Sequence, residues 1–201
     1  MTTATPSRQL LRRDQRRAQI LRAAAQAFSH DGFVATSVDE VAKQAGITKL
    51  IVYRHFDSKA DLYRSILDEV TGRLVEEWVA ATDDQHSRGA AVRTLLTVAR
   101  ELPDGFRLLF VHATREQEFA AYAEGFRTMQ EAVAERVLEP LNVPVAYHDW
   151  VTRMMVRYVV SSVLEWIEVG DPENDETFVA LATAGLQAMV QNWTSGTIAA
   201  A

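Results

Sequence analysis

Apolar residues recur along this chain at intervals of three and four, the period of a helix face, and no convincing alternating strand interrupts them. Ile20, Leu21, Ala24, Ala27 and Phe28 form the first such stripe and predict a helix over about 14–30. Gly32 suits the position just past a helix end, where a positive φ is favoured. Ser37-Val38-Asp39-Glu40 reads as a capping box, with the Ser37 hydroxyl capping a second helix and Glu40 reaching back. That helix is expected to end near residue 45, with Gly46 making the turn. Thr48 caps a third helix reaching about residue 56, and Ser58 caps a fourth.

The fourth helix is long. Leu62, Ile66, Val70, Leu74 and Trp78 repeat every four residues, so from 58 to about 81 it would span roughly 36 Å. Residues 82–88 read as a loop. Further helices are expected at about 88–102, 104–112, 116–139, 146–169 and 174–193, with Pro103, Pro140, Pro144 and Pro172 at the joins. Residues 1 to about 12 and 194–201 are expected to be disordered. The pattern predicts an all-α chain of about nine helices: a three-helix head, a long connecting helix and a helical bundle. It divides into a head at 1–57 and a body at 58–201.

Charge follows the same division. The formal net charge is −6, from 21 Lys and Arg against 27 Asp and Glu. Residues 1–64 hold 11 basic and 6 acidic side chains, a balance of +5, and the remainder holds 10 and 21, a balance of −11. All three lysines (Lys43, Lys49 and Lys59) lie in the first part. A basic head on an acidic body points to a polyanion as the head's partner.

The head has the shape to meet one. A helix, a glycine turn and a second short helix make a helix-turn-helix. Val41 and Ala42 face inward, Gly46 permits the turn, and Ile47 and Val52 plug the core beneath. Thr48, Lys49, Leu50, Tyr53 and Arg54 are left as the outer side of the second helix, whose width fits the DNA major groove. The helix starts at Ser37, Thr48 and Ser58 offer backbone N–H groups to phosphates. Lys59 and the Tyr53 hydroxyl are expected to add contacts. Arg8, Arg12, Arg13, Arg16 and Arg17 are expected to extend as a basic arm.

The block from residue 20 to 67, above all GFVATSVDEVAKQAGITKLIVYRHFDSKADLY, resembles the N-terminal domain of TetR-type transcriptional regulators. The matching positions are Gly32-Phe33, Thr36-Ser37, Val41-Ala42, Ala45-Gly46, Tyr53, His55-Phe56, Lys59 and Leu62. The resemblance implies a homodimer on a palindromic operator, usually a repressor released by a small molecule. It implies DNA contacts at Thr36, Ser37, Thr48, Lys49, Leu50, Tyr53, Arg54 and Lys59. One departure stands out: the family commonly has a small residue and a threonine or serine where this chain has Leu50 and Ile51. An exposed Leu50 would meet thymine methyl groups, and Ile51 would pack inward.

The body carries two further expectations. Residues 177–193 contain no charged side chain, and residues 150–169 hold 13 apolar residues and only four charged ones. Helices so apolar must be buried on more than one side, which predicts a two-fold four-helix interface with a second copy. Its candidate residues are Trp166, Phe178, Ala182, Gly185, Leu186, Met189 and Trp193. An effector pocket is expected among the aromatic and thioether groups Trp78, Phe106, Phe110, Phe119, Tyr122, Phe126, Met129, Trp150, Met154 and Tyr158. Such a set is also what an ordinary core contains. With the resemblance it implies an apolar or aromatic effector held by one or two polar groups.

Other chemistry finds no support. The chain has no cysteine, and no metal-ligand spacing, phosphate-cradling glycine loop or nucleophile elbow occurs. No metal and no cofactor are expected, nor an enzymatic activity. No signal-peptide core or membrane span is read, so the protein is expected to be cytoplasmic. Two rivals to a repressor stay open: an activator of the same fold, and a hydrophobic-ligand binding protein that no longer engages DNA.

Overall fold

The computed structural model describes residues 8–83, 89–139 and 143–194. Among them are nine α-helices and no strand. The head comprises α1 (Arg8–Ala35), α2 (Val38–Gln44) and α3 (Lys49–Tyr53). Helix α4 (Lys59–Asp83) leaves it and enters a bundle of α5 (Ala90–Glu101), α6 (Pro103–Arg107), α7 (Ala120–Leu138), α8 (His148–Val169) and α9 (Asp175–Thr194). Helix α6 continues into one π-helical turn, Leu108–His112.

The expected helices are present, with differences at their ends. Helix α1 begins at Arg8 rather than near residue 14, because Gln9, Leu10, Leu11, Arg12 and Arg13 all favour helix and nothing among them breaks it. The basic segment expected as an extended arm is therefore helical from Arg8 onward. The Arg17 guanidinium lies 4.9 Å from the centre of the Phe56 ring. Residues 1–7 and 195–201 lie outside the described residues, as does most of the expected loop at 82–88. At the other end of α1 the backbone breaks at Gly32 (φ 80°, ψ 166°), a conformation that a side chain would strain. The capping box is present: Ser37 accepts from the Glu40 N–H, and the Glu40 carboxylate accepts from the Ser37 N–H at 2.7 Å. Helix α3 ends at Tyr53, three residues early, because the N–H groups of His55 and Phe56 both turn back to the Val52 carbonyl.

Head and body share one core. Ile20, Leu21, Ala24 and Phe28 of α1, Val41 and Ala42 of α2 and Val52 of α3 pack on Leu62, Tyr63, Ile66 and Leu67 of α4, and the same cluster continues into α5, α6, α8 and α9. A smaller cluster of Leu138, Val143, Val151, Met155 and Val190 closes the far end of the bundle.

Candidate nucleic-acid interface and ligand cavity

The head presents a short, exposed helix on a rigid base. Val52 is buried and Ile47 half-buried beneath α3, while Thr48, Lys49, Leu50, Tyr53 and Arg54 are exposed on its outer side. Leu50 is 63% exposed, a high value for a large apolar side chain and one that no contact inside the subunit requires. Ile51 is half-buried, as its inward placement requires. Thr48 precedes α3 in extended conformation, and its hydroxyl does not cap the helix. The Lys49 ammonium donates to Asp39 Oδ2 at 2.6 Å, across from α3 to α2. That bond, reinforced by the charge of Asp39, raises the Lys49 pKa.

Two of the eight residues assigned to DNA are occupied inside the fold. Thr36 is buried, and its hydroxyl donates to the Gly32 carbonyl at 2.8 Å, with the Ala27 carbonyl at 3.3 Å. The Lys59 ammonium points inward and donates to the carbonyls of Phe33 (2.7 Å), Thr36 (3.0 Å) and Val34 (3.4 Å). It also lies 4.4 Å from the centre of the Phe33 ring. The break at Gly32 turns these carbonyls toward one point, and a lysine at the start of α4 reaches it. Lys59 thus ties α1 to α4 rather than standing free for a phosphate. Ser37 is exposed and serves as the cap described above.

A joint connects this region to the bundle. Glu116 Oε1 accepts from the Phe33 N–H at 3.2 Å. Phe33 meets Phe119 edge-on at 4.9 Å, and Phe119 stacks on Tyr63 at 4.1 Å. Among the described residues the Tyr63 hydroxyl finds no hydrogen-bond partner, and burial drives its pKa upward. One turn further along α7, the Tyr122 hydroxyl donates to Asp68 Oδ1 at 2.7 Å and lies 3.0 Å from the Thr71 hydroxyl. Burial pushes the Tyr122 phenol up to about 12, so it remains a neutral donor.

Beyond Tyr122 a cavity of about 290 Å³ is lined by both helices. Leu74, Val75 and Trp78 of α4 form one wall, and Phe126, Met129, Gln130, Val133, Ala134 and Val137 of α7 form the other. Ala91, Thr94 and Leu95 of α5, Met155, Val156, Val159 and Val160 of α8 and Leu186 of α9 make the floor. Among the described residues no charged side chain lines it. Of the ten pocket candidates, three (Trp78, Phe126 and Met129) are on these walls. Phe106, Phe110, Phe119 and Tyr122 lie outside the lining: Phe106 and Phe119 are fully buried in the core, Phe110 packs on Phe106 at 4.5 Å, and Tyr122 makes the bonds to α4. Trp150 packs on Trp193 at 5.0 Å, and Tyr158 faces Gly185, where an added Cβ would collide with its hydroxyl. Met154, half-buried, is also absent from the lining. Aromatic content marked these residues, but an α-helix turns about 100° per residue, so neighbours one or two positions away face elsewhere. Phe119, Tyr122, Phe126, Met129 and Val133 read as one helical stripe in the sequence, and its last three members line the cavity.

The α8–α9 surface is mixed. Ala182 is buried in the subunit's own core and Leu186 lines the cavity. Trp166 and Phe178 stack on each other at 4.8 Å, and the Trp166 indole N–H donates to Asp175 at 2.6 Å. Met189 and Trp193 are half-buried. The outer face of α9 is instead Thr177, Ala180, Leu181, Ala184, Gln187, Ala188 and Gln191, an uncharged strip on which Leu181 is 68% exposed. Among the described residues no group of histidine and carboxylate side chains is gathered as for a metal, and no helix is long and apolar enough to cross a membrane.

Comparison with known proteins agrees with this arrangement. Residues 20–66 match the family of bacterial regulatory proteins of the TetR type. The transcriptional activator FasR of Mycolicibacterium smegmatis is 27% identical over 84% of this chain and 80% of its own. The transcriptional repressor KstR2 of the same organism is 26% identical over 92% and 96%. Among solved structures, a TetR-like transcriptional regulator from Rhodococcus sp. RHA1 superimposes with a TM-score of 0.71 at 22% identity, over 92% of this chain and 97% of that one. These relatives are regulators of transcription and not enzymes. On the match across the head, the relatives along most of its length and the shared fold, the chain carries a TetR-type helix-turn-helix domain at residues 20–66 and resembles TetR-type regulators of transcription.

Proposed function

We propose that this chain is a transcriptional regulator, a homodimer that binds a palindromic operator through α3, acts as a repressor, and is released by a small apolar effector. The observation that carries the DNA reading is the exposed row Thr48, Lys49, Leu50, Tyr53 and Arg54 above a buried Val52. An exposed leucine among polar and basic side chains suits thymine methyl groups, and lysine and arginine suit guanine edges. Residues 1–57 form the DNA-binding unit, and 58–201 the effector and dimer unit. The uncharged strip on α9 centred on Leu181 supports the dimer, with half-sites about 34–36 Å apart.

Release follows from the shared core. The cavity is lined by α4 and α7, and both helices reach the head: α4 directly, and α7 through Phe119 and Glu116. An effector that favours one separation of these helices biases the position of α3, and DNA opposes the effector by the same coupling free energy. The FasR relative is named an activator and the KstR2 relative a repressor, so the sign of the output is read from transcription in vitro with and without the regulator. Titration of duplex DNA against salt tests the binding: affinity should fall steeply with salt, as counterion release requires. Leu181→Glu should yield monomers by sedimentation and weaken operator binding. Salt-independent binding, or a monomer already in the parent protein, overturns this reading.

A further inference from the structure

We infer that the cavity takes the aliphatic end of an amphiphile, tail first and about ten carbons long, and leaves the polar end at the mouth between α4 and α7. This deepens the effector reading above and rests on it for its regulatory consequence, though not for the binding itself.

The wall decides what can enter. A charge placed inside would find no opposite charge, and an unpaired buried ion is prohibitively costly. Among the described residues that line it, Thr94 and Gln130 are the only ones besides the Trp78 indole that bring polar side-chain groups, too few to satisfy a sugar, nucleotide or peptide. The rest is valine, leucine, methionine and alanine around two aromatic rings. Along α7 the lining runs from Phe126 to Val137, about 16 Å of helix. A volume of 290 Å³ drawn out over that length is narrow, closer to the girth of a single chain than to a fused ring system. At roughly 30 Å³ for each water-sized group it accommodates about ten chain carbons.

The mouth decides which end enters first. Val75, Met129 and Val137 belong to the lining, yet are 45%, 43% and 50% exposed. They mark where the cavity reaches solvent, between α4 and α7. Toward the head, outside the lining, Tyr122 ties α7 to α4 through Asp68 and Thr71. A chain therefore enters between Val75 and Val137, and its polar end stays hydrated there.

Calorimetric titration of the full chain with straight-chain alcohols from six to fourteen carbons tests the length. Each added methylene should tighten binding about fourfold, the equivalent of ~0.8 kcal/mol per buried CH₂, until about ten carbons, after which affinity should level. Affinity that is flat across the series, or that still rises at fourteen, overturns the proposal, as does tighter binding of a naphthalene-sized aromatic than of decanol. Ala134→Phe, which fills the cavity, should weaken decanol at least tenfold. Val137→Glu lies on the exposed rim and leaves the core intact. Relative to decanol, it should weaken decanoate and tighten decyltrimethylammonium; an equal change in all three removes the mouth assignment. Duplex-DNA binding by the same samples separates the two readings. Alcohols that bind with the expected length break but never alter DNA affinity support the cavity assignment and refute the effector role.

Discussion

Replacing Lys59 with methionine keeps the apolar stem and removes the ammonium that draws three carbonyls together. Its bonds to Phe33 and Thr36, at 2.7 and 3.0 Å, are hydrogen bonds from a charged donor, each worth about 1.5–3 kcal/mol net. The third, at 3.4 Å, is long and adds little, and the contact with the Phe33 ring adds about 0.5–1 kcal/mol. Lys59 is only half-buried, so water recovers part of the loss at the freed carbonyls. The net expectation is a destabilisation of about 2–3 kcal/mol, which for a chain of this length lowers the midpoint of thermal unfolding by about 5–10 °C. Lys59→Arg should fall between, because a planar guanidinium does not converge on three carbonyls. Circular dichroism melts measure the effect, and DNA titrations against salt supply the opposing test. An unchanged midpoint together with a salt slope reduced by about 0.9, the signature of one lost phosphate contact, would refute the reasoning and return Lys59 to the DNA surface.

Asp39→Asn should free Lys49 and raise affinity for non-specific duplex a few fold, with a steeper salt slope; weaker binding would mean that Asp39 supports α3 rather than restraining its lysine. Lys49→Ala should change sequence preference by about 1–3 kcal/mol at one base pair if the lysine meets a guanine, measured by competition among operator variants. Tyr122→Phe deletes the bonds to Asp68 and Thr71 at a stability cost near 1 kcal/mol. It should shrink the change in DNA affinity that saturating decanol produces, and an unaltered change excludes this tie from the coupling. Stability should also depend on pH in two windows. His55 and His112 are pushed down mainly by burial, so the unfolded chain binds more protons near pH 6.5, and stability falls as pH drops below that. Arg73 holds Glu101 low, and Arg100, with Trp166, holds Asp175 low. Their contributions are present above the ordinary carboxylate range and are lost as pH falls through the depressed values, as urea midpoints measured across pH would show.

Helix content and order were legible because an apolar stripe at 3.6 spacing, a capping box and a proline join are local signals. So was the outer face of α3, which follows from the burial of Val52. The side chains of Lys59 and Thr36 were not. Their partners are carbonyls exposed by the break at Gly32, and nothing in residue type announces that a lysine will turn inward. The pocket was half legible for a related reason. Aromatic residues flag burial but not direction, and Phe119 and Phe106 serve the core while the valines of α7 and α8 line the cavity. On α9 the sequence identified an uncharged helix, but one position of rotation separates Leu181, which is exposed, from Ala182, which is not. Nothing local in the sequence pairs Asp39 with Lys49 or Glu116 with the Phe33 N–H; the fold brings them together.

Selection of bound duplexes from a random pool by the full chain tests the central claim most directly. The account predicts enrichment of two inverted half-sites whose centres lie about one helical turn or slightly more apart, with two subunits on each selected duplex. Recovery of no sequence above background at low ionic strength, or of a single half-site held by one subunit, would contradict it.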